Sequence, residues 1–414
     1  MWAAPFTSPN MLFIFKKWIP KSVFSFFQPI YHWALAWMAA VFYGFPSRKL
    51  KVIGVTGTSG KTTTIEFLHE IFQAAGFKTA SLSGLRFKIL DKSRTNFLKM
   101  TMPGRFAVQK FLSEAKKAGC QYIFLEVTSE GIKQYRHKFI NFYAAIFTNL
   151  SEEHLEAHGG FFNYRAAKAK LFQSAPVQIL NADDPNFEFF NKISAKEKVF
   201  FRKSDFPADW QIKIPGEFNK MNAIAALALS RHEGISDEIS KKALAGIRVM
   251  PGRMEFIDPP VGGRKNFQVL VDYAFLPQTL KLAYETAKKN SASLICVLGA
   301  AGGGRDKWKR PKLGSVAAEN CRKVFITNED PYDEDPNQIL SEIKSGISNS
   351  QFLISNVREI LDRREAIREA IKSAKPNDTV VITGKGAEPW IMGPNGTKVP
   401  WDDREVVREE LKKL

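Results

Sequence analysis

The chain has 414 residues, 60 basic against 42 acidic side chains and a formal net charge of +18. Roughly 100–200 residues per domain makes this two or three domains, and an apolar share of 44% with 25% charged excludes wholesale disorder. Cys120, Cys296 and Cys321 are too few and too widely spaced for a disulfide framework or a zinc pattern, which fits a reducing cytosol, while the charge admits nucleic acid, an anionic membrane or an acidic small substrate.

No acidic residue precedes Glu66, whereas Lys16, Lys17, Lys21, Arg48 and Lys49 stand among aromatic residues that include Trp18, Trp33, Trp37 and Phe42. The uncharged run 22–47 contains Pro29 and Pro46, and its dense apolar part, 33–43, has 11 residues. A spanning helix needs about 20 predominantly apolar residues, so no span is expected. Nor is a secretory signal, because the apolar stretch lies late and runs into a domain. Two readings stand. Residues 30–44 form a helix packed on the following domain, or a Lys-flanked aromatic segment, 11–46, makes a peripheral membrane contact.

Residues 51–56, Lys-Val-Ile-Gly-Val-Thr, read as a buried strand. Gly57, Thr58, Ser59, Gly60, Lys61, Thr62 and Thr63 follow, and then a helical pattern through Ile65, Phe67, Leu68 and Ile71. Strand, glycine loop and helix make a phosphate cradle, with backbone N–H groups and a helix N-terminus toward the anion and Lys61 toward its terminal phosphates. The Thr62 hydroxyl suits Mg²⁺. Val55 stands where the strict pattern has glycine, so this is a shorter variant of the loop. Apolar strands over 122–127, 144–148 and 177–180 alternate with helical patterns, which predicts a parallel sheet with ligands at its carboxyl ends. Glu126 ends one of them, where its carboxylate either holds a magnesium ion or is simply solvated.

Further motifs follow in order. They include Glu126-Val-Thr-Ser129 with Gln134 and Arg136, the run from His154 to Lys168, Asn181-Ala-Asp-Asp-Pro185, and Gly216-Glu-Phe-Asn219-Lys-Met-Asn222. Then come Pro251-Gly-Arg253, Val271-Asp272-Tyr273-Ala274, Arg305-Asp306-Lys307 with Arg310, Gly384-Lys385-Gly386, and Trp401-Asp402-Asp403-Arg404-Glu405. Together with the phosphate loop this set resembles the ATP-dependent Mur ligases of peptidoglycan synthesis, most closely the MurE type, over about residues 44–411.

The resemblance implies an enzyme. ATP phosphorylates the carboxylate of UDP-N-acetylmuramoyl-L-Ala-D-Glu, and the amine of an amino acid (diaminopimelate, lysine or similar) attacks the acyl phosphate. By the same likeness Lys61 and the loop hold the phosphates, and Thr62, Glu126, His154 and a carbamylated Lys168 serve the Mg²⁺ ions. Asn219 and Asn222 meet the adenine side, and Arg253 and Asp272 close over the nucleotide. Ser129, Gln134 and Arg136 meet the muramyl peptide, and Asp330 and Glu388 the amino acid.

The chain departs from the family in four places. Only about 50 residues precede the phosphate strand, where MurE-type members carry a UDP-gripping domain. The family's Asp-Asn-Pro-Arg is Glu329-Asp330-Pro331-Tyr332, without the arginine that pairs a distal carboxylate. Ala387 replaces a histidine before Glu388, and Phe275 another after Ala274. The expected architecture is α/β: an N-terminal segment 1–50, a P-loop ATPase-like parallel-sheet domain 51–246, and a smaller Rossmann-like domain 247–414. A cytoplasmic monomer, at the inner membrane face in the second reading of the N-terminus, and no nucleic-acid partner are expected. Two alternatives remain open: a ligase for a lipid-linked muramyl peptide or another carboxylate such as folate, and a non-catalytic ATP-binding membrane scaffold.

Overall fold

The computed structural model describes residues 21–258, 266–348 and 354–413. Lys16, Lys17 and Trp18 lie outside these. The first sheet has eight strands: β1 Lys51–Thr56, β2 Thr79–Leu82, β3 Arg86–Ile89, β4 Lys92–Thr95, β5 Tyr122–Glu126, β6 Phe142–Phe147, β7 Val177–Asn181 and β8 Glu197–Phe201. Their order is β4-β3-β2-β5-β1-β6-β7-β8. β1 runs parallel to both neighbours, and only β3 runs against its own neighbours, pairing antiparallel with both β2 and β4.

Successive strand residues point to opposite faces, so a strand apolar at every position is one covered on both sides. In β1, Ile53 and Val55 pack with Ile65, Phe67 and Ala223, while Val52 packs with Phe111, Leu171 and Phe172. β5 repeats the division, with Phe124 on the first side and Ile123 and Leu125 on the second. The helices Lys61–Ala74 and Glu217–His232 cover one face, and Arg105–Lys117 and Phe161–Phe172 the other. Gly54 permits the last of these to come close, since a Cβ there would stand 2.8 Å from Leu171 Cδ1.

The second sheet holds β9 Glu255–Ile257, β10 Gln268–Asp272, β11 Leu294–Leu298, β12 Lys323–Ile326, β13 Val357–Glu359 and β14 Thr379–Thr383, ordered β13-β12-β11-β14-β10-β9. All are parallel except β9. Leu294, Cys296 and Leu298 join the cluster that runs back through Met254 and Met250 to the first sheet, and Ile295 and Val297 pack on Ile367, Ala370 and Val407. This is the α/β architecture expected from the sequence. A hairpin, β15 Trp390–Met392 with β16 Lys398–Pro400, lies outside both sheets.

Three features differ from the sequence reading. The N-terminal helix runs Lys21–Phe42 with Pro29 inside it, longer than the expected 30–44. Ala36, Ala39 and Ala40 are buried on the following domain and Trp33 lies edge-on to Phe139, so tertiary packing, which the sequence pattern does not carry, accompanies the longer helix. Cys296 and Cys321 form a disulfide across 6.0 Å of Cα separation, which the wide spacing had argued against. The strand–helix–strand return brings the start of β12 beside β11, a proximity that spacing does not carry. The short strands over 79–95 were not anticipated, because Lys-Ser-Arg-Thr in β4 is exposed throughout and has no apolar period.

Asp403 is fully buried and accepts from Arg363 Nε and Nη2 at 2.9 and 2.8 Å, from Trp401 Nε1 at 2.8 Å and from Gly386 N at 3.1 Å. Arg363 Nη2 also donates to Thr383 O at 2.8 Å, so the pair ties the helix Arg363–Lys372 to the end of β14. Removing one partner strands a buried charge, at about 3–5 kcal/mol. Asp403→Ala is expected to lose that amount in urea unfolding followed by circular dichroism. Lys196→Ala, whose side chain is 79% exposed, should change stability by less than about 0.5 kcal/mol.

Candidate active site

The carboxyl ends of both sheets open on one cleft of about 680 Å³. All the site residues singled out from the sequence line it, from Gly57 to Thr63 on the first sheet's side to Asp330 and Glu388 on the other. A second cavity, about 1080 Å³ beneath the connection 246–250, contains none of them.

The loop after β1 is shaped by what two glycines lack. Gly57 has φ 154°, and a Cβ on it would stand 2.0 Å from Thr148 Oγ1. Gly60 has φ 80°, and its Cβ would meet Asn222 Oδ1 at 2.1 Å. Asn149 Oδ1 accepts from Ser59 N at 3.0 Å, and Thr148 Oγ1 donates to Ser59 O at 2.8 Å, so the end of β6 holds the loop open. Asn222 Nδ2 donates to Asn219 Oδ1 at 3.2 Å, which sets the asparagine pair against Gly60. Lys61 Nζ reaches Gly57 O at 3.0 Å and Thr58 O at 2.8 Å. Thr62 Oγ1 donates to Glu126 Oε2 at 2.9 Å, and Gly84 N donates to the same oxygen at 2.8 Å.

Lys168 comes from the helix Phe161–Phe172 and is buried, with Nζ 2.8 Å from Gly57 O. Burial, and then the neighbouring Lys61, hold its amine well below the usual lysine range. His154 has φ 55° and lies 3.5 Å from Glu153 Oε1. Burial pulls its imidazole down, toward the neutral form that can ligate a cation. The Gln134 side chain accepts from Arg136 Nη2 at 2.7 Å, and Arg136 also contacts Met102 O.

The second sheet supplies the opposite wall. Asp272 is buried with both oxygens in use, accepting from Met254 N and Ala274 N at 2.8 Å each, and the Arg253 guanidinium stacks 4.1 Å over the Tyr273 ring. Asp306 reaches across the cleft to accept from Leu155 N at 3.2 Å and Glu156 N at 3.0 Å, and it thereby caps the short helix Leu155–His158. Lys385 Nζ lies 2.8 Å from Asp330 Oδ1 and 2.7 Å from Glu388 Oε2, and Tyr273 OH donates to Glu388 Oε1 at 2.8 Å.

Sequence reasoning missed Lys99, Asn149 and Tyr164. Tyr164 OH lies 3.1 Å from Thr58 Oγ1, and Lys99 pairs with Asp330 and Glu388 from the opposite side. Tyr164 lies within the His154–Lys168 run and Asn149 directly follows the strand 144–148, so position alone could have flagged both, whereas Lys99 sits at no motif and has φ 54°, which no local pattern announces.

Residues 55–206 match the Mur ligase middle domain, and 252–386 the Mur ligase glutamate ligase domain. The chain is 35% identical over 412 residues to the UDP-N-acetylmuramoyl-L-alanyl-D-glutamate–2,6-diaminopimelate ligase of Syntrophomonas wolfei, spanning 92% of this chain and 82% of that one. It is 36% identical over 404 residues to the UDP-N-acetylmuramyl-tripeptide synthetase of Deinococcus radiodurans, with 91% and 81% covered. A solved UDP-N-acetylmuramoyl-L-alanyl-D-glutamate–2,6-diaminopimelate ligase superposes with TM-score 0.57 at 29% identity, over 88% of this chain and 78% of that one. The folylpolyglutamate synthase of Mycobacterium tuberculosis, complexed with ADP and AMPPCP, superposes with TM-score 0.69 at 16% identity over 92% and 94%, which shows a shared fold.

The glycine geometry makes a direct prediction. Gly57→Ala forces Thr148 Oγ1 or the loop to move. Nucleotide affinity measured by calorimetry is expected to fall at least about tenfold, at roughly 1.4 kcal/mol per decade. The thermal midpoint should shift by only a few degrees.

Proposed function

This chain belongs to the Mur ligase family of ATP-dependent amide ligases, and on that premise we propose that it joins an amino acid to the free carboxylate of UDP-N-acetylmuramoyl-L-Ala-D-Glu through an acyl phosphate. The observation that carries this reading is one cleft that combines a phosphate loop, the Thr62–Glu126 pair and a buried, neutral-leaning Lys168 with the Asp330–Glu388 carboxylates opposite. Curated relatives are named for adding diaminopimelate. Tyr332 stands where the family's arginine would pair a distal carboxylate, so the reading includes lysine or a similar amino acid beside diaminopimelate.

Phosphoryl transfer is mostly positioning and charge neutralisation. Lys61 and the amides of 57–63 hold the phosphates of ATP, and Asn219 and Asn222 border its adenine. Arg253 and Asp272 close the nucleotide from the second sheet. Ser129, Gln134 and Arg136 place the muramyl peptide so that its carboxylate meets the terminal phosphate.

The residues fit magnesium and a carbamate. The Thr62 hydroxyl and the Glu126 carboxylate already stand together as hard oxygen donors. Lys168 is held toward the free amine, the form that adds carbon dioxide, and a carbamate there would exchange one of two neighbouring cations for an anion. Among the described residues no three His, Cys, Asp or Glu side chains converge on one point, and carbamate oxygens on Lys168 would add donors beside Thr62 and Glu126. When bound, Mg²⁺ would neutralise charge on the transferred phosphoryl group, and His154 would be the residue to hold a second ion.

A second reading concerns where the acceptor is met. Phe27, Ile30, Trp37, Met38, Val41 and Phe42 stand exposed along the N-terminal helix, on a stretch with no acidic residue. No described helix is long and apolar enough to cross a membrane. An aromatic helix face with basic flanks suits an anionic interface, so we include a peripheral contact at the cytoplasmic membrane face and a lipid-linked muramyl peptide as acceptor. A monomer is sufficient for all these roles.

Incubation with ATP, Mg²⁺, UDP-muramyl dipeptide and a panel of amino acids should release phosphate only with the right amino acid, and silence across the panel rejects this acceptor. Lys61→Ala and Lys168→Ala should each cost about 10²–10³ in kcat, the scale of a lost charge-stabilising group. Only the loss caused by depleting carbon dioxide should be restored by bicarbonate. The full chain should float with phosphatidylglycerol vesicles, and Trp37→Glu with Met38→Glu should stay at the bottom of the gradient. Equal flotation of both removes the membrane reading.

A further inference from the structure

Asp330 and Glu388 hold two ammonium groups, and these come from different parts of the molecule. Lys385 belongs to the same loop as Glu388, and its side chain has no exposed surface. Lys99 arrives from the first sheet's side, between β4 and the helix Arg105–Lys117, and lies 2.8 Å from Asp330 Oδ2 and in contact with Glu388. To get there its backbone adopts φ 54°, a left-handed conformation that a residue with a side chain rarely takes without compensation. The loop is docked at a second point, where Trp390 Nε1 donates to Phe97 O at 3.2 Å.

The local charge balance favours a second cation. Without Lys99, the two carboxylates would keep only the Lys385 ammonium within ion-pair distance, in a site where Asp330 is only 4% exposed. Under-compensated buried charge is costly, so a second cation in contact with the pair is favourable. The two lysines are not held alike. Burial lowers both, but Glu388 and Asp330 outweigh it at Lys385 and hold that ammonium above the usual range. At Lys99 burial wins, helped by repulsion from Lys385, and its ammonium is pulled down. Lys99, which comes from a separate loop and keeps some exposed surface where Lys385 keeps none, is the exchangeable one of the two.

We propose that Lys99 is a tethered occupant of this cation site, that a side-chain ammonium of the incoming amino acid displaces it, and that displacement frees the 96–102 loop from the second sheet's side of the cleft. The substrate class is then an amino acid with a primary ammonium on an alkyl chain, because the present occupant is itself a four-carbon alkylammonium. Holding the distal ammonium leaves the α-amine free to attack. The inference rests on the ligase reading for the identity of the displacing ligand, but the exchange itself does not.

The amino acid binds against a competitor on the same chain. If Lys99 fills the site about nine-tenths of the time, apparent affinity is weakened about tenfold. Lys99→Met keeps the length and removes the charge. It is expected to lower the KM for a diamino acid about tenfold, with kcat and the KM for ATP within about threefold. A raised or unchanged KM overturns the proposal, since Lys99 would then assist binding or play no part. The second readout needs no turnover. In wild-type protein, hydrogen–deuterium exchange of the 96–102 backbone amides, followed by mass spectrometry, should be slow and should speed up about tenfold with saturating n-butylammonium chloride, compared with sodium chloride at equal ionic strength. An unchanged rate overturns the proposal. If no amino acid supports turnover, the ligase reading fails by itself, and the labelling result still decides the exchange.

Discussion

The carbonyl oxygen of Gly57 accepts from two amines, Lys61 at 3.0 Å and Lys168 at 2.8 Å. Two full positive charges at that separation repel strongly in a dry site. Lys168 yields, because it is completely buried and Lys61 is not, and its amine is held toward neutrality. The contact depends in turn on two glycines. Gly57 leaves room beneath Thr148, and Gly54 lets Leu171 come close to β1, which seats the helix that carries Lys168. One strand with its loop thus brings the glycine loop and the buried Lys168 amine together.

The remainder of the cleft is a problem of charge held between two sheets. Asp306 crosses from one side to cap a helix on the other, and Lys99 crosses in the opposite direction to complete a carboxylate pair. Neither contact is hydrophobic. Polar ties of this kind can be exchanged for ligand contacts, whereas the continuous apolar cluster through Met250 and Met254 cannot open without exposing core. Motion of the cleft is accordingly expected at its rim, with the connection near 247–250 as the pivot.

The charge of +18 divides along the same lines. Lys61, Arg136, Arg253 and Arg305 line the cleft, interspersed with carboxylates such as Glu126, Asp272, Asp330 and Glu388. The acid-free N-terminal stretch is separate. Its helix buries an alanine face on the following domain and turns Phe27, Ile30, Trp37 and Met38 outward.

Much was legible in the chain alone. The middles of strands such as β1 and β5 are apolar at successive positions, which announces a sheet covered on both faces, and the glycine loop with its lysine and threonines announces a phosphate site. Those signals are local, because a strand's burial and a loop's conformational freedom are written in consecutive residues. The Cys296–Cys321 bridge, the Tyr164–Thr58 contact and the place of Lys99 between Asp330 and Glu388 were not legible. Each joins residues that meet only when two helices or two sheets pack, and Lys99 reaches its partners across 231 and 289 positions of sequence. Sequence determined which chemistry the chain carries. Tertiary structure decided which charges share a site, because electrostatic energy depends on distance and burial, and neither is a property of neighbours along the chain.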